Sequence, residues 1–159
     1  EYRLVPDCIR ALEANQSLII RNPSAVRPWQ HVLEPLSGYL FLALKMAEDP
    51  QEFSGAWNFG PDIENFATVK DLADLLISSY GTGRWETNGE SKKLHETGLL
   101  RLDITKAMDI LGWKPLLGFR EAVQWTVEWY KVYKDQNVYK LCLDQIEKYT
   151  QKWNSENLI

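Results

Sequence analysis

Residues that bind metals are scarce in this sequence. It contains two cysteines, Cys8 and Cys142, and two histidines, His31 and His95, each far from the others. Metal sites take three or four ligands, usually with close local spacing. The scarcity excludes a zinc site, and we interpret the cysteines as small core residues of a protein in the reducing cytoplasm.

Long apolar runs and an excess of positive charge are also missing. No stretch approaches the roughly 20 apolar residues that a membrane-spanning helix requires. The net charge of -4 disfavours nucleic-acid binding, which relies on a broad basic surface. We therefore expect neither a membrane nor a nucleic acid as partner. The chain begins Glu1-Tyr2-Arg3 without a leader, which indicates no signal peptide and a fragment of a longer protein.

The 159 residues, 45% of them hydrophobic, suit one globular domain without an independent second one. Apolar periodicity predicts short strands between helices, which is a mixed α/β fold. Thr68 and Asp71 form the capping pattern of one helix, and Thr105 is predicted to cap another. The predicted helices span 6–14, 35–47, 69–80, 105–112, 119–133 and 139–152, and the predicted strands span 18–21, 57–60 and the region around Trp85.

The predicted helix 35–47 is apolar nearly all the way round. A helix of this kind is buried on every side. In so short a chain, this indicates that a covering layer is missing. We expect the isolated chain to be marginally stable, to self-associate or to rearrange, because it exposes a large apolar patch.

Two short motifs resemble catalytic ones but lack the necessary context. Gly81-Thr82-Gly83 fails as a dinucleotide loop because Glu86 stands at the third glycine position. Tyr130 and Lys134 have the spacing of the proton-transfer pair of short-chain dehydrogenases, but no glycine-rich fingerprint precedes them. We attribute that spacing to chance and predict no catalytic residue in this chain.

One segment, Ile19 to Tyr39, closely resembles the CDP-glucose 4,6-dehydratase family of the extended short-chain dehydrogenase/reductase superfamily. Its most specific part reads Arg27-Pro28-Trp29-Gln30-His31-Val32-Leu33-Glu34-Pro35. Further similar blocks are Arg3–Asp7, Ala56–Pro61, His95-Glu96, Leu102–Ala107 and Leu111–Pro115, so that the resemblance covers about residues 2 to 130. The chain departs from the family pattern at Gly98–Arg101, where a tyrosine and a lysine are more usual.

The resemblance implies that residues 1–159 are a carboxy-terminal substrate-binding domain whose Rossmann half is absent. The parent enzyme is then a cytoplasmic, homo-oligomeric lyase of bacterial surface-polysaccharide (O-antigen) biosynthesis. It converts CDP-glucose to CDP-4-keto-6-deoxyglucose and water with NAD, which the absent half holds, and this fragment alone is inactive. The alternatives are another nucleotide-sugar dehydratase or epimerase, or a non-catalytic nucleotide-sugar-binding protein.

Seven substrate-binding residues follow from the resemblance. Arg27 matches an arginine that binds the diphosphate, and Asn58 matches a donor to a phosphate oxygen. The positions that surround the base and ribose, or approach the nucleotide, are Arg3, Leu4, Ile19, Arg21 and His95. A guanidinium suits a diphosphate because it donates two parallel hydrogen bonds.

Several of these residues also have a plain structural interpretation. Arg27 taken alone is a surface arginine, Asn58 can satisfy its own turn, and His95 can be an exposed loop residue. Leu4 and Ile19 can simply pack in the core. Two further residues are expected to have supporting roles: His31 beneath the Arg27 loop, and Asp103 at the helix start near Thr105.

Overall fold

The computed structural model describes residues 3–87 and 98–157, which form a mixed, mainly helical α/β fold. The predicted fold class is confirmed. The helices are α1 (Leu4–Glu13), α2 (Leu33–Glu48), α3 (Pro50–Phe53), α4 (Val69–Tyr80), α5 (Phe119–Val132) and α6 (Val138–Asn157), with a 3-10 turn at Ile63–Asn65 and a π-helical turn at Ala107–Leu111. The strands are β1 (Leu18–Ile20), β2 (Val26–Arg27), β3 (Ala67–Thr68) and β4 (Trp85–Thr87).

The strands form two small two-stranded sheets. Strand β1 pairs in parallel with β4, and β2 pairs antiparallel with β3. Side chains alternate across a strand, so that Leu18 and Ile20 are buried in the core while Ile19 is 55% exposed on the other face. The side chain of Ile19 is therefore available to a ligand.

The main core joins α1, β1, α4 and α5. Apolar residues from all four elements meet there, among them Ile9, Leu18, Leu72 and Val127. Thr68 and Asp71 form the predicted capping box of α4, with each side chain accepting from the other residue's backbone N–H. The helix ends at Gly81, whose φ of 105° favours glycine.

The predicted strand at 57–60 is wrong. This segment has no ladder partner within residues 3–87 and 98–157, and side chains hold it instead. Trp57 Nε1 donates to the Phe53 carbonyl at 2.9 Å, and Asn58 Nδ2 donates to the Asp103 carbonyl at 3.0 Å. Phe59 is buried and lies so close to α2 that a Cβ at Gly38 would stand 2.3 Å from its ring.

Helix α2 is not buried on every side, contrary to the expectation from its sequence. One face packs inward through Glu34 and Gly38. On the opposite side, no described element covers a set of large apolar residues. This open face of α2 consists of Val32 (62% exposed), Leu36 (45%), Tyr39 (57%), Leu40 (70%) and Leu44 (64%).

Several helix boundaries also differ from prediction, among them the start of α2 at Leu33 rather than Pro35. Helix α1 begins at Leu4 rather than Pro6, and α6 continues to Asn157. The cap before the π-helical turn is Asp103 rather than Thr105, because Asp103 Oδ1 accepts the Thr105 N–H at 2.9 Å. The expected supporting role of Asp103 is thereby confirmed. The hydrogen bonds from Thr105 lower the pKa of the Asp103 carboxyl group.

Candidate functional site

An open cleft of about 610 Å³ lies alongside α1, β1 and β2. Four of the seven predicted substrate-binding residues line it: Leu4, Ile19, Arg21 and Arg27. These residues come from three separate elements and the turn that links two of them. The fold therefore brings most of the predicted site into one concavity.

Helix α1 contributes one face to the cleft. Leu4, Asp7, Cys8 and Ala11 all line it, and their spacing of three or four residues is that of one helix face. Burial, followed by the nearby Asp7 charge, raises the pKa of the Cys8 thiol to about 11. Cys8 is therefore a neutral thiol near pH 7 and not a nucleophile.

The turn after β1 places Arg21 and Asn22 at the cleft wall. Ala25 N–H donates to the Asn22 carbonyl at 3.3 Å, and Ser24 Oγ donates to Asn22 Oδ1 at 3.1 Å. These bonds close the turn that leads into β2. They fix the backbone between the two arginines of the cleft.

Arg27 lies at the end of β2, where it pairs with Ala67 of β3. Its side chain is half-buried, and Nη1 donates to the Val26 carbonyl at 2.9 Å. Trp29 also lines the cleft, and its indole Nε1 donates to the Ala67 carbonyl at 3.0 Å. Since Trp29 and Arg27 share the partner Ala67, the β2–β3 pair holds both side chains at the cleft.

The charges of the cleft suit an anion with a neutral, hydrogen-bonding portion. Arg21 and Arg27 supply positive charge, while Asp7 is the only carboxylate among the described lining residues. Asp7 is ion-paired with Arg10, one turn further along α1. A phosphate group would be attracted to the two arginines and repelled by Asp7.

The remaining predicted residues lie elsewhere. Arg3 is exposed just before α1, and the side-chain amide of Asn58 donates to the Asp103 carbonyl. Neither residue is among those that line the cleft. His95 lies outside the described residues. Sequence reasoning had no signal for Trp29, but the helical period starting from Leu4 could have identified Asp7.

Buried polar groups support the loop that follows Arg27. His31 is 5% exposed and meets Trp125 edge to face with ring centroids 5.9 Å apart. Burial lowers the pKa of His31 to about 4, so that the ring is neutral near pH 7. The expected packing of His31 is confirmed, and its contacts are with Trp125 and with the Leu33 N–H.

Glu34, in the first turn of α2, is 1% exposed. Its carboxylate accepts the N–H of Leu117 at 2.7 Å and of Leu116 at 3.1 Å, and the hydroxyl of Tyr149 at 3.1 Å. Burial raises the pKa of Glu34, while these donors act in the opposite direction. The carboxylate thus joins α2 to α6 and to the segment before α5.

The two short motifs that resemble catalytic ones have structural roles in the fold. Gly81 ends α4 and leads into β4, whereas the glycines of a dinucleotide loop follow a strand and open a helix. Tyr130 packs against the core, and Lys134 Nζ lies 2.7 Å from Glu13 Oε2, so this pair has structural partners.

Within residues 3–87 and 98–157, no cluster of three His, Cys, Asp or Glu is arranged to hold a metal. No helix of that part has the length and apolar character needed to cross a membrane.

No protein-family profile matches the chain. Over 132 residues it is 44% identical to CDP-glucose 4,6-dehydratase of Salmonella typhimurium strain LT2. The alignment covers 82% of this chain but 36% of that enzyme, so the chain spans only about a third of its relative's length.

Solved structures of nucleotide-sugar enzymes share the fold. The dTDP-glucose 4,6-dehydratase of Bacillus anthracis strain Ames, in complex with NAD, superposes with a TM-score of 0.62 at 19% identity, over 84% of this chain and 40% of that one. UDP-glucuronic acid 4-epimerase of Bacillus cereus superposes with a TM-score of 0.68 at 17% identity, over 83% of this chain and 40% of that one. UDP-glucose 4-epimerase of Thermotoga maritima superposes with a TM-score of 0.61 at 21% identity, over 80% of this chain and 39% of that one. The resemblance inferred from the sequence is thus confirmed: the chain is related to CDP-glucose 4,6-dehydratase over most of its own length and has the fold of part of an extended short-chain dehydrogenase/reductase.

Proposed function

We propose that this chain is the carboxy-terminal, substrate-binding part of an NAD-dependent CDP-glucose 4,6-dehydratase. The whole enzyme would be a lyase that converts CDP-glucose to CDP-4-keto-6-deoxyglucose and water. The observation that carries the proposal is the single cleft lined by Leu4, Ile19, Arg21 and Arg27. The 44% identity to the Salmonella enzyme supports the choice of reaction.

Within the cleft, Arg27 is the proposed ligand of the diphosphate. It is half-buried and its loop is pinned by Trp29, so that its guanidinium loses little further freedom on binding. Leu4, Ile19 and Arg21 are proposed to surround the base and ribose. Arg3, Asn58 and His95 remain proposals from the resemblance, since none of them is among the described lining of the cleft.

The open face of α2 is the proposed contact with the Rossmann half of the enzyme. Its five large side chains are 45% to 70% exposed; four lie on α2, and Val32 is the residue just before it. A monomer rarely leaves such a contiguous apolar patch in water. In this proposal the Rossmann half covers the patch, binds NAD and supplies the catalytic residues, and the enzyme is a cytoplasmic homo-oligomer that makes a precursor for surface polysaccharide.

The test is to express the complete reading frame and incubate it with NAD and each of CDP-, UDP-, dTDP- and GDP-glucose. Mass spectrometry then detects loss of one water molecule. Loss from CDP-glucose alone is the expected result. Dehydration of a different nucleotide sugar would keep the reaction class and refute the CDP assignment.

Variants at Arg27 test the cleft itself. Arg27→Ala is expected to raise KM for the nucleotide sugar roughly 10- to 100-fold, since hydrogen bonds to charged groups contribute about 1.5–3 kcal/mol. Arg27→Lys should recover only part of this loss, because an ammonium cannot donate two parallel hydrogen bonds. Arg120→Ala removes an exposed arginine of α5 outside the cleft and is the matched control.

A second candidate is another nucleotide-sugar dehydratase or an epimerase. The structural similarity to two UDP-sugar 4-epimerases favours it. An epimerase would interconvert sugars without loss of water, so the same incubation separates the two reactions. Tight binding of a nucleotide sugar without any conversion would instead support a non-catalytic binding protein.

A further inference from the structure

The cleft contains a carboxylate that diphosphate binding does not explain. Asp7 is the only acidic residue among the described residues that line it. A carboxylate in a cleft for a negatively charged ligand weakens binding unless it faces a donor on that ligand. A ligand that places a hydrogen-bond donor near Asp7, away from its phosphates, would therefore suit the cleft better than one that places an acceptor there.

Asp7 lies on the same face of α1 as Leu4, which the resemblance places beside the base. Arg10 pairs with the Asp7 carboxylate from the next turn of the helix. This ion pair restricts the rotamer of Asp7. It still leaves acceptor sites on the carboxylate, since two oxygens offer about four lone pairs.

Two other side-chain acceptors of the cleft are already engaged. Ser17 Oγ donates to Glu86 at 2.7 Å and accepts from Arg84 at 2.9 Å. Asn22 Oδ1 accepts from Ser24 Oγ at 3.1 Å. The other acceptor side chain of the described lining is Gln16, whose amide oxygen is neutral, so Asp7 is the one charged acceptor that this lining offers to a ligand.

Cytosine and uracil differ in the group that such an acceptor would meet. Cytosine presents an exocyclic amine, which donates, where uracil presents a carbonyl oxygen, which accepts. A carboxylate only accepts, so it binds the amine and repels the oxygen. We propose that Asp7, held by Arg10, accepts a hydrogen bond from the cytosine amine and makes the cleft prefer cytidine over uridine nucleotides. This inference rests on the proposed function and assigns the residue that determines the base.

The experiment is calorimetric titration of CDP and of UDP into the complete polypeptide that carries this chain. The unmodified protein should bind CDP more tightly than UDP. Asp7→Asn should lower the CDP affinity about tenfold or more, as expected for a lost hydrogen bond to a charged group. The same variant should raise the UDP affinity, because the new amide can donate to the uracil oxygen.

Two further variants keep the result interpretable. Asp7→Ala should lose CDP affinity without any gain for UDP, since alanine neither accepts nor donates. Asp144→Asn is the matched control, because Asp144 is also an aspartate paired with a basic residue of its own helix, Lys140 on α6. It should leave the ratio of CDP to UDP affinity unchanged.

The outcomes separate this inference from the proposed function. Equal losses for CDP and UDP in Asp7→Asn would overturn the base assignment and leave Asp7 as a ribose ligand or a fold residue, with the cleft intact. No change in either affinity would overturn the inference as well and show that another group, such as a backbone carbonyl, selects the base. If the unmodified protein binds neither nucleotide, or prefers UDP, the proposed function fails and Asp7 loses its role with it.

Discussion

Glu34 is the residue whose replacement should affect stability most, because three donors depend on its buried carboxylate. Leu116 and Leu117 each donate a backbone N–H, and Tyr149 donates its hydroxyl. With Glu34 1% exposed, water cannot replace the carboxylate without rearrangement. Glu34→Ala would leave the N–H groups of Leu116 and Leu117 without this acceptor, reduce Tyr149 to its contact with Ser37 Oγ, and open a cavity between α2 and α6.

The cost follows from these contacts. Each buried donor left unpaired costs roughly 1–3 kcal/mol, and the cavity adds to this. Removing the carboxyl group also removes the free-energy cost of burying it, which offsets part of the loss. We therefore expect Glu34→Ala to lower the free energy of unfolding by about 4 kcal/mol, which is a large share of the total for a domain of this size.

Glu34→Gln should cost much less, about 1 kcal/mol. The amide oxygen can still accept from Leu117, and the amide nitrogen can donate to Tyr149. The Tyr149 hydroxyl can then turn to Ser37 Oγ, which lies 3.0 Å away. The network thus has a consistent arrangement of hydrogen bonds for a neutral residue as well.

The assay is urea denaturation monitored by circular dichroism. For each variant, the slope of the free energy of unfolding against urea concentration is compared with that of the unmodified chain. Glu121→Ala is the control, since Glu121 is partly exposed and pairs with Lys152 near the surface at 3.3 Å. It should change stability by about 1 kcal/mol or less. A loss below 1 kcal/mol for Glu34→Ala, or equal losses for the Ala and Gln variants, would refute this reasoning.

Three further predictions concern other elements. Burial lowers the pKa of His31 from 6.5 to about 4, so the neutral ring stabilises the fold fully above pH 6.5, and this stabilisation is lost as the pH falls towards 4. Between pH 7 and 5, the free energy of unfolding of the unmodified chain should fall by about 2 kcal/mol more than that of His31→Phe, as measured by urea titration. Thr68→Ala should destabilise α4 by about 1 kcal/mol, and its effect should not add to that of Asp71→Ala in thermal unfolding, because the two residues form one reciprocal capping box. Replacing Leu40 and Leu44 with Gln should reduce self-association of the isolated chain in sedimentation velocity with little loss of stability, since the two are 70% and 64% exposed; an unmodified chain that is already monomeric and binds no hydrophobic dye would contradict the proposed role of the open face.

Most helices and strands could be predicted from the sequence, and the failures have identifiable reasons. The α4 helix is set by local signals, namely its apolar stripe, its Thr68 cap and Gly81, and the structure has it as predicted. The segment 57–60 is apolar enough for a strand, but a strand also needs a neighbour, and none of the described strands lies beside it. Two capping residue types, Asp103 and Thr105, lie two positions apart, and only the hydrogen-bond geometry showed that Asp103 is the cap.

The candidate site was predictable only in part. Resemblance identified Arg27 and the residues around β1, and four of the seven predicted residues share one cleft. The prediction omitted Asp7, which the helical spacing from Leu4 could have indicated, and Trp29, for which spacing gives no signal. Asn58 stays a prediction from the resemblance; the structure adds the hydrogen bond from its amide to the Asp103 carbonyl, 45 residues away in the chain.

The sequence by itself determined the local elements, the scarcity of metal ligands and the relationship to a nucleotide-sugar dehydratase, because these depend on residue identity and short-range spacing. The tertiary structure decided which residues meet. Only the packing of α1 against β1 places Asp7 in a cleft with Arg27, and only the approach of α6 gives Glu34 its third donor. Such contacts join residues far apart in the chain, and no local pattern encodes them.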